Sequence, residues 1–298
     1  MTTTTANLLI SSQKSTNVRS YTDGPSWMRT MFSTAGRLAP GLTSLGAAQL
    51  FRRTSRKVPR AGERDVLRGA TEMTLAGMKA WSWGKGPTIL LVHGWNGRAT
   101  QLGSFVSPLV SRGYRVVAFD AIGHGESPGH LLSLPELATC IRKVAAELDD
   151  VYGVLAHSLG GAATTLALSQ GLQIERAVFI SPPSDPREFL RIFSGALGIS
   201  DEVRKRVQAR VERRLGMTME SMQATVHAPS MQIPLLVIHD QDDKEVPVEV
   251  GRSVAEAWPG AELVISRGLG HQRILRDEDV KNVAASFINA AQHWKRAA

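Results

Sequence analysis

The sequence predicts an α/β protein: one mostly parallel, twisted sheet with helices on both faces and a short helical insertion. Three observations carry this. Short apolar runs suited to strands buried on both faces, such as Thr88–Val92, Arg115–Phe119 and Arg176–Ser181, alternate with longer helix-like segments. Repeated β-α-β alternation requires crossover connections, and these set the strands parallel with helices on either side. Several of the runs are followed at once by small, polar or charged residues, and in such sheets ligands bind at the carboxyl ends of the strands.

The unit around which the chain is organised is residues 151–171. Val151 to Ala156 reads as a buried strand, Leu159–Ser169 as a helix rich in Ala and Leu, and Gly171 as its stop. Ser158 sits at the turn between them. A serine where the backbone doubles back needs small neighbours, and Ala156, Gly160 and Gly161 meet that need. Taken alone, Ser158 also fits an ordinary helix N-cap.

The pentapeptide Ala-His-Ser-Leu-Gly at 156–160 resembles the nucleophile elbow of the α/β-hydrolase superfamily, with Ala156 where that pattern more often has glycine. Other strand ends extend the resemblance. After Thr88–Val92 comes His93-Gly94-Trp95-Asn96-Gly97; a His-Gly here matches the loop that supplies one oxyanion-hole amide. The resemblance implies the backbone N–H of Trp95, paired with that of Leu159, with His93, Gly94, His157 and Gly160 as the supporting loop residues. After Arg115–Phe119, residues 120–127 match Asp-x-x-Gly-His-Gly-x-Ser. This loop reads as structural, Asp120 bonding turn amides and His124 having no role as base. In residues 240–247, Asp-Gln-Asp-Asp-Lys-Glu-Val-Pro, the family's acid lies four residues before the proline of a Val-Pro pair, which selects Asp243 over its rivals Asp240 and Asp242. His271 follows a Gly268-Leu269-Gly270 turn, and the order Ser158, Asp243, His271 is that of the family.

The resemblance implies a serine hydrolase cleaving carboxylic esters or thioesters. His271 takes the Ser158 proton, an acyl-enzyme forms, and activated water releases the acid, with no metal or organic cofactor required. Acyl transfer, perhydrolysis and carbon-carbon bond hydrolysis use the same triad and stay open, as does a non-catalytic ligand-binding role. Serine at 158 argues against the haloalkane and epoxide branches, whose pattern has aspartate there. The histidines at 130, 157, 227, 239 and 293 show no metal-ligand spacing and read as structural or exposed.

Along the chain, residues 1–69 read as a basic extension. Up to about Pro25 it is Thr-, Ser- and Asn-rich and expected to be disordered, without the plan of a secretory signal. Residues 27–51 are expected to form a short helix packed on the domain, or else one lying on a membrane surface. The hydrolase-like domain spans 70–298. It opens with an edge strand over 71–83, and helices follow at 100–110, 134–148, 248–258 and 277–294. A helical lid is expected at about 182–233. There Asp201–Leu215 is capped by Ser200 and carries the stripe Val203, Val207, Val211, Leu215. A second helix is expected around Phe189 to Leu197, and Met217, Met219 and Met222 supply apolar surface that either packs the lid or lines an acyl pocket.

Composition bounds the rest. The chain has 298 residues, 43% of them apolar, enough for one large core. One cysteine, Cys140, permits no internal disulfide and no cysteine metal site. No apolar run approaches the ~20 residues of a membrane span. The net charge of +8 is uneven: residues 1–75 hold eleven basic and four acidic side chains, leaving +1 elsewhere. That excess lies outside the catalytic-looking part, and no nucleic-acid module accompanies it. It reads as a solvated basic segment, or as a contact for an anionic membrane or acidic partner. The expected location is cytoplasmic; the Ser, Thr and Arg content of the first 60 residues also resembles an organelle transit peptide. The expected substrate is a small ester with an apolar part.

Overall fold

The computed structural model describes Ile10–Ser11 and residues 25–290. In chain order its strands are β1 (Ile10–Ser11), β2 (Thr71–Leu75), β3 (Met78–Trp83), β4 (Thr88–Val92), β5 (Arg115–Phe119), β6 (Val151–His157), β7 (Arg176–Ile180), β8 (Leu235–Asp240) and β9 (Glu262–Arg267). The α-helices are α1 (Ser26–Leu38), α2 (Pro40–Phe51), α3 (Val106–Val110), α4 (Leu134–Ala146), α5 (Leu159–Ser169), α6 (Pro186–Ala196), α7 (Asp201–Leu215), α8 (Ala224–His227), α9 (Val248–Ala257), α10 (Gly270–Arg273) and α11 (Glu278–Asn289).

The strands form one sheet in the order β1-β9-β8-β7-β6-β4-β5-β3-β2. Only β3 runs against the others, being antiparallel to both β2 and β5. Every residue of β4 and of β8 is buried, as a strand covered on both faces must be. Side chains alternate between two cores. Leu90, Val92, Val154, Ala156, Phe179 and Val237 face α4, α5 and α9, whose Ile141, Val144, Leu166 and Val254 complete that layer. Ile89, Leu91, Leu155, Val178 and Ile238 face α3 and α11 through Leu109, Val280, Ala284 and Ile288. From β4 the chain moves to β5 on one side and then crosses to β6 on the other. The carboxyl ends of β4 and β6 therefore flank the switch in strand order, where such sheets form a crevice.

The alternation expected from the sequence is present, and the differences have physical causes. Residues 71–83 make a hairpin and not a single strand, because Ala76 and Gly77 both take positive φ (49° and 76°), the geometry of a tight two-residue turn. Residues 100–110 begin as a 3₁₀ segment, Ala99–Phe105, before α3. The last helix begins as expected, capped by Asp277, and is described to Asn289; the stretch expected to continue it to 294 lies outside the described residues. So does most of the segment expected to be disordered. Within it, Ile10–Ser11 lies parallel beside β9.

The insertion holds α6 and α7, with the Ser200 hydroxyl accepting from the Val203 amide. Val203, Val207 and Val211 are buried against α1 and α2 in a third apolar cluster that includes Phe32, Ala47, Leu190 and Met219. Met219 thus packs the insertion, and Met222 belongs to the sheet core, so neither lines an open pocket. The basic segment is not simply solvated. Arg52, 4% exposed, pairs with Glu136 at 2.6 Å, and Arg56 donates to the carbonyls of Ser127 and Gly129. Glu63 pairs with Arg98 and accepts from Thr100. A chain of arginines laid along polar loop ends finds carbonyl and carboxylate acceptors there, and residues 52–63 are strapped to the body as a result. No helix among the described residues is long and apolar enough to cross a membrane.

Candidate active site

Ser158 takes φ 52° and ψ −126° between β6 and α5. Left-handed backbone at a non-glycine residue costs on the order of 1–3 kcal/mol and persists only where the surroundings enforce it. Here the Ser158 amide donates to the Ile180 carbonyl at 2.9 Å and its carbonyl accepts from Gly161 at 2.8 Å. The hydroxyl does not cap α5, so the N-cap reading fails. Packing explains the small neighbours: a Cβ on Gly160 would stand 2.7 Å from the Val92 carbonyl oxygen, which lets α5 start directly against the end of β4. Ala156 is fully buried and fits.

Loop 93–97 is pressed against this turn. Its conformation is set by two neutral histidines. His93 Nε2 accepts from the Ala121 amide (3.0 Å), so Nδ1 carries the proton and donates to the Gly94 carbonyl (2.8 Å). His124 Nε2 accepts from the Asn96 amide (3.0 Å), and its Nδ1–H donates to the Ile122 carbonyl. Burial pushes both rings down, His93 to about 4 and His124 to about 3, so both stay uncharged. Asn96 Oδ1 in turn accepts from the Ser55 amide, which ties the loop to the N-terminal strap. Among the described residues, the N–H groups of Trp95 and Leu159 enter none of the hydrogen bonds that hold these turns. Asp120 accepts from the amides of Ala99 and Glu126, and its role is structural, as the sequence indicates.

The three aspartates after β8 separate cleanly. Asp240 accepts from the Ser266 hydroxyl and from the amides of Asp242, Leu269 and Gly270, stapling the two loops together. Asp242 accepts from the Gly268 amide. Asp243 is left for the histidine: its Oδ1 accepts from the Glu245 and Val246 amides, and its Oδ2 lies 2.7 Å from His271 Nδ1. Burial pushes the Asp243 carboxyl up, but the adjoining His239 and His271 rings and the Val246 amide outweigh it and hold the group well below the usual carboxylate range. His271 sits in α10 after a turn in which Gly268 and Gly270 both have positive φ (77° and 62°). Its carbonyl accepts from His157 Nε2 at 3.0 Å, so the residue before Ser158 also positions the histidine loop.

Two nearby residues carry no mark in the sequence. Glu245 Oε2 is 3.9 Å from His271 Nε2, the ring nitrogen not engaged by Asp243. His239, fully buried, donates from Nε2 to the Val246 carbonyl and lies 3.5 Å from Asp243 Oδ2. Its Nδ1 has no hydrogen-bond partner among the described residues and faces Gly251 of α9, where any Cβ would overlap it. Ser158, Asp243 and His271 are 9%, 7% and 6% exposed.

Sheet and site together define an α/β protein with a serine on a left-handed turn, an Asp-His pair and an amide-bearing loop at one sheet edge. The chain belongs to the alpha/beta hydrolase family, whose model matches residues 89–286. It is 28% identical to a pyrethroid hydrolase of Sphingobium wenxiniae over 70% of this chain and 90% of that protein. It is 29% identical to a non-heme haloperoxidase of Rhodococcus erythropolis over 70% of this chain and 94% of that one. Its fold is similar to that of an esterase from Exiguobacterium antarcticum, with a TM-score of 0.56 and 17% identity, over 73% of this chain and 98% of the other.

Proposed function

We propose that this protein is a serine hydrolase that cleaves carboxylic esters, with Ser158 as nucleophile, His271 as general base and Asp243 as the acid that orients it. The observation that carries the reading is the 2.7 Å contact between Asp243 Oδ2 and His271 Nδ1. It fixes the proton on Nδ1 and leaves Nε2 as the acceptor for the Ser158 hydroxyl. Ser158 attacks the ester carbonyl, the alcohol leaves with the proton from His271, and water activated by the same ring releases the acid. The amides of Trp95 and Leu159 would receive the oxygen that gains charge; losing one such donor costs on the order of 3 kcal/mol of barrier. The 182–233 insertion serves as the lid, and the substrate carries an apolar part. The pyrethroid hydrolase relative supports ester cleavage, pyrethroids being named as its substrate.

The haloperoxidase relative favours a second acceptor, in which peroxide replaces water at the acyl-enzyme. The two share the nucleophile and differ only in the deacylation step. Labelling with a fluorophosphonate probe, wild type beside Ser158→Ala, tests the nucleophile: labelling of wild type alone is expected, and equal labelling of both ends the proposal. A series of p-nitrophenyl esters of rising acyl length then reads the pocket, and Asp243→Asn should lower kcat by on the order of 10⁴. Product partition between acid and peracid, with hydrogen peroxide present, separates the two acceptors.

A further inference from the structure

We propose that the outer face of α1 and α2 is a docking surface for an anionic lipid membrane. α2, Pro-Gly-Leu-Thr-Ser-Leu-Gly-Ala-Ala-Gln-Leu-Phe, contains no charged side chain. One side is buried: Thr43, Ser44 and Ala47 sit beneath the surface, with Arg210 of α7 donating to Ser44 Oγ and the Gly41 carbonyl. On the other side Leu42 and Leu45 are 73% and 50% exposed. An uncharged helix that exposes leucines on its free side is one that a membrane surface can accept, and this one has protein on one side only. α1, packed beside α2, exposes Trp27, Met31 and Leu38, which follow the helical repeat, at 65%, 46% and 81%. These five make up most of the nine large apolar side chains exposed among the described residues, so apolar exposure is concentrated here and not scattered.

Charge identifies the occupant. From residue 25 to residue 62 the chain carries seven basic residues and no acidic one. Arg52 and Arg56 are engaged with the body, but Arg37, beside Leu38, and Arg53, just past the end of α2, are exposed. On α7, against which α2 packs, Lys205, Arg213 and Arg214 are exposed as well, facing fewer acidic residues than basic ones on that helix. A second copy of this chain fits poorly, because a two-fold interface would set the same arginines against each other. An anionic bilayer accepts both features: apolar side chains enter the headgroup boundary while basic ones meet the lipid phosphates and carboxylates. A membrane would then meet the protein on the side of the insertion, since α1 and α2 are packed on it.

The test is sedimentation of the full chain with vesicles of phosphatidylcholine alone and of phosphatidylcholine mixed with phosphatidylserine. Binding to the mixed vesicles only, weakening as salt rises, is expected. The double variants Leu42→Ser/Leu45→Ser and Arg37→Glu/Arg53→Glu should each weaken it by about tenfold or more, with circular dichroism and thermal midpoint unchanged. Variants that bind as wild type does, or a wild type that ignores mixed vesicles, overturn the proposal. So does a lipid-free dimer dissociated by the leucine substitutions, which would give the face to a second copy. Binding to polyglutamate but not to mixed vesicles would give it to an acidic protein and overturn the membrane reading.

Discussion

Gly94 and Ser158 are in direct contact: a Cβ on Gly94 would stand 2.9 Å from the Ser158 Cβ and 3.1 Å from the His157 carbonyl oxygen. The φ of Gly94 is not left-handed, so glycine is required there by space alone. Gly94→Ala must push loop 93–97 away from the serine turn. It should lower kcat by on the order of a hundredfold, as displacement of a positioned donor does, with a stability loss of about 1–3 kcal/mol. Steady-state kinetics beside a urea titration separates the two effects; unchanged kcat would mean that the loop is not part of the site.

Glu245 places a carboxylate 3.9 Å from His271 Nε2, with its side chain 25% exposed. It should disfavour esters whose acyl or alcohol part is anionic. Glu245→Gln is expected to raise kcat/KM for a carboxylate-bearing ester, relative to a neutral one of equal length, by about fivefold, roughly 1 kcal/mol for a partly solvated like charge. A ratio that does not move would place Glu245 outside the substrate's reach.

Gly251→Ala drives a methyl group into His239, which is fully buried beside Asp243. The ring is fully buried and bonded to the Val246 carbonyl, so it cannot step aside cheaply. We expect a loss of about 1–3 kcal/mol from overpacking, together with lower kcat as the Asp243 carboxylate is disturbed. Denaturant midpoint and kcat measured on one preparation check both, and a silent substitution would show that α9 shifts freely.

Stability should fall in mild acid. His93 ionises at about 4 and His124 at about 3 in the folded chain, below their ordinary value near 6.5, so the unfolded state binds protons first. The unfolding free energy is therefore full above about 6.5 and declines as pH drops toward 4, by on the order of 3 kcal/mol from His93 alone. The depressed Asp243 carboxyl adds its own loss only below the ordinary carboxylate range. Urea midpoints from pH 7.5 to 5 measure this, and His124→Gln should flatten the slope.

Phe32 of α1 is 8% exposed in the cluster that joins α1 and α2 to the insertion. Phe32→Ala should cost about 3 kcal/mol, felt locally. Limited proteolysis is the readout, with faster cleavage expected within 25–51 and 182–233 while the sheet core stays protected.

The sheet was legible because it rests on local pattern, and so were the turns that hold the proposed Ser158, Asp243 and His271. Parallel strands buried on both faces must be apolar throughout, as in Thr88–Val92, and a serine turn must have small neighbours, as at Ala156 and Gly160. The family resemblance singled out Asp243 and His271, and the structure brings that pair to 2.7 Å. What the sequence could not give depends on which distant segments meet. Glu245 faces His271 because Asp240 ties the loop after β8 to the turn after β9, and His239 backs Asp243 because that loop turns back on the end of β8. The N-terminal arginines look solvated in sequence, yet Arg52 finds Glu136 across 84 positions. α2 has no charge to give it an inner and an outer face, so nothing local says which side is buried; the stripe Val203, Val207 and Val211 of α7 decides it. Periodicity and turn sterics are properties of neighbours along the chain, whereas burial and pairing are set by contacts that form only when the whole chain has closed.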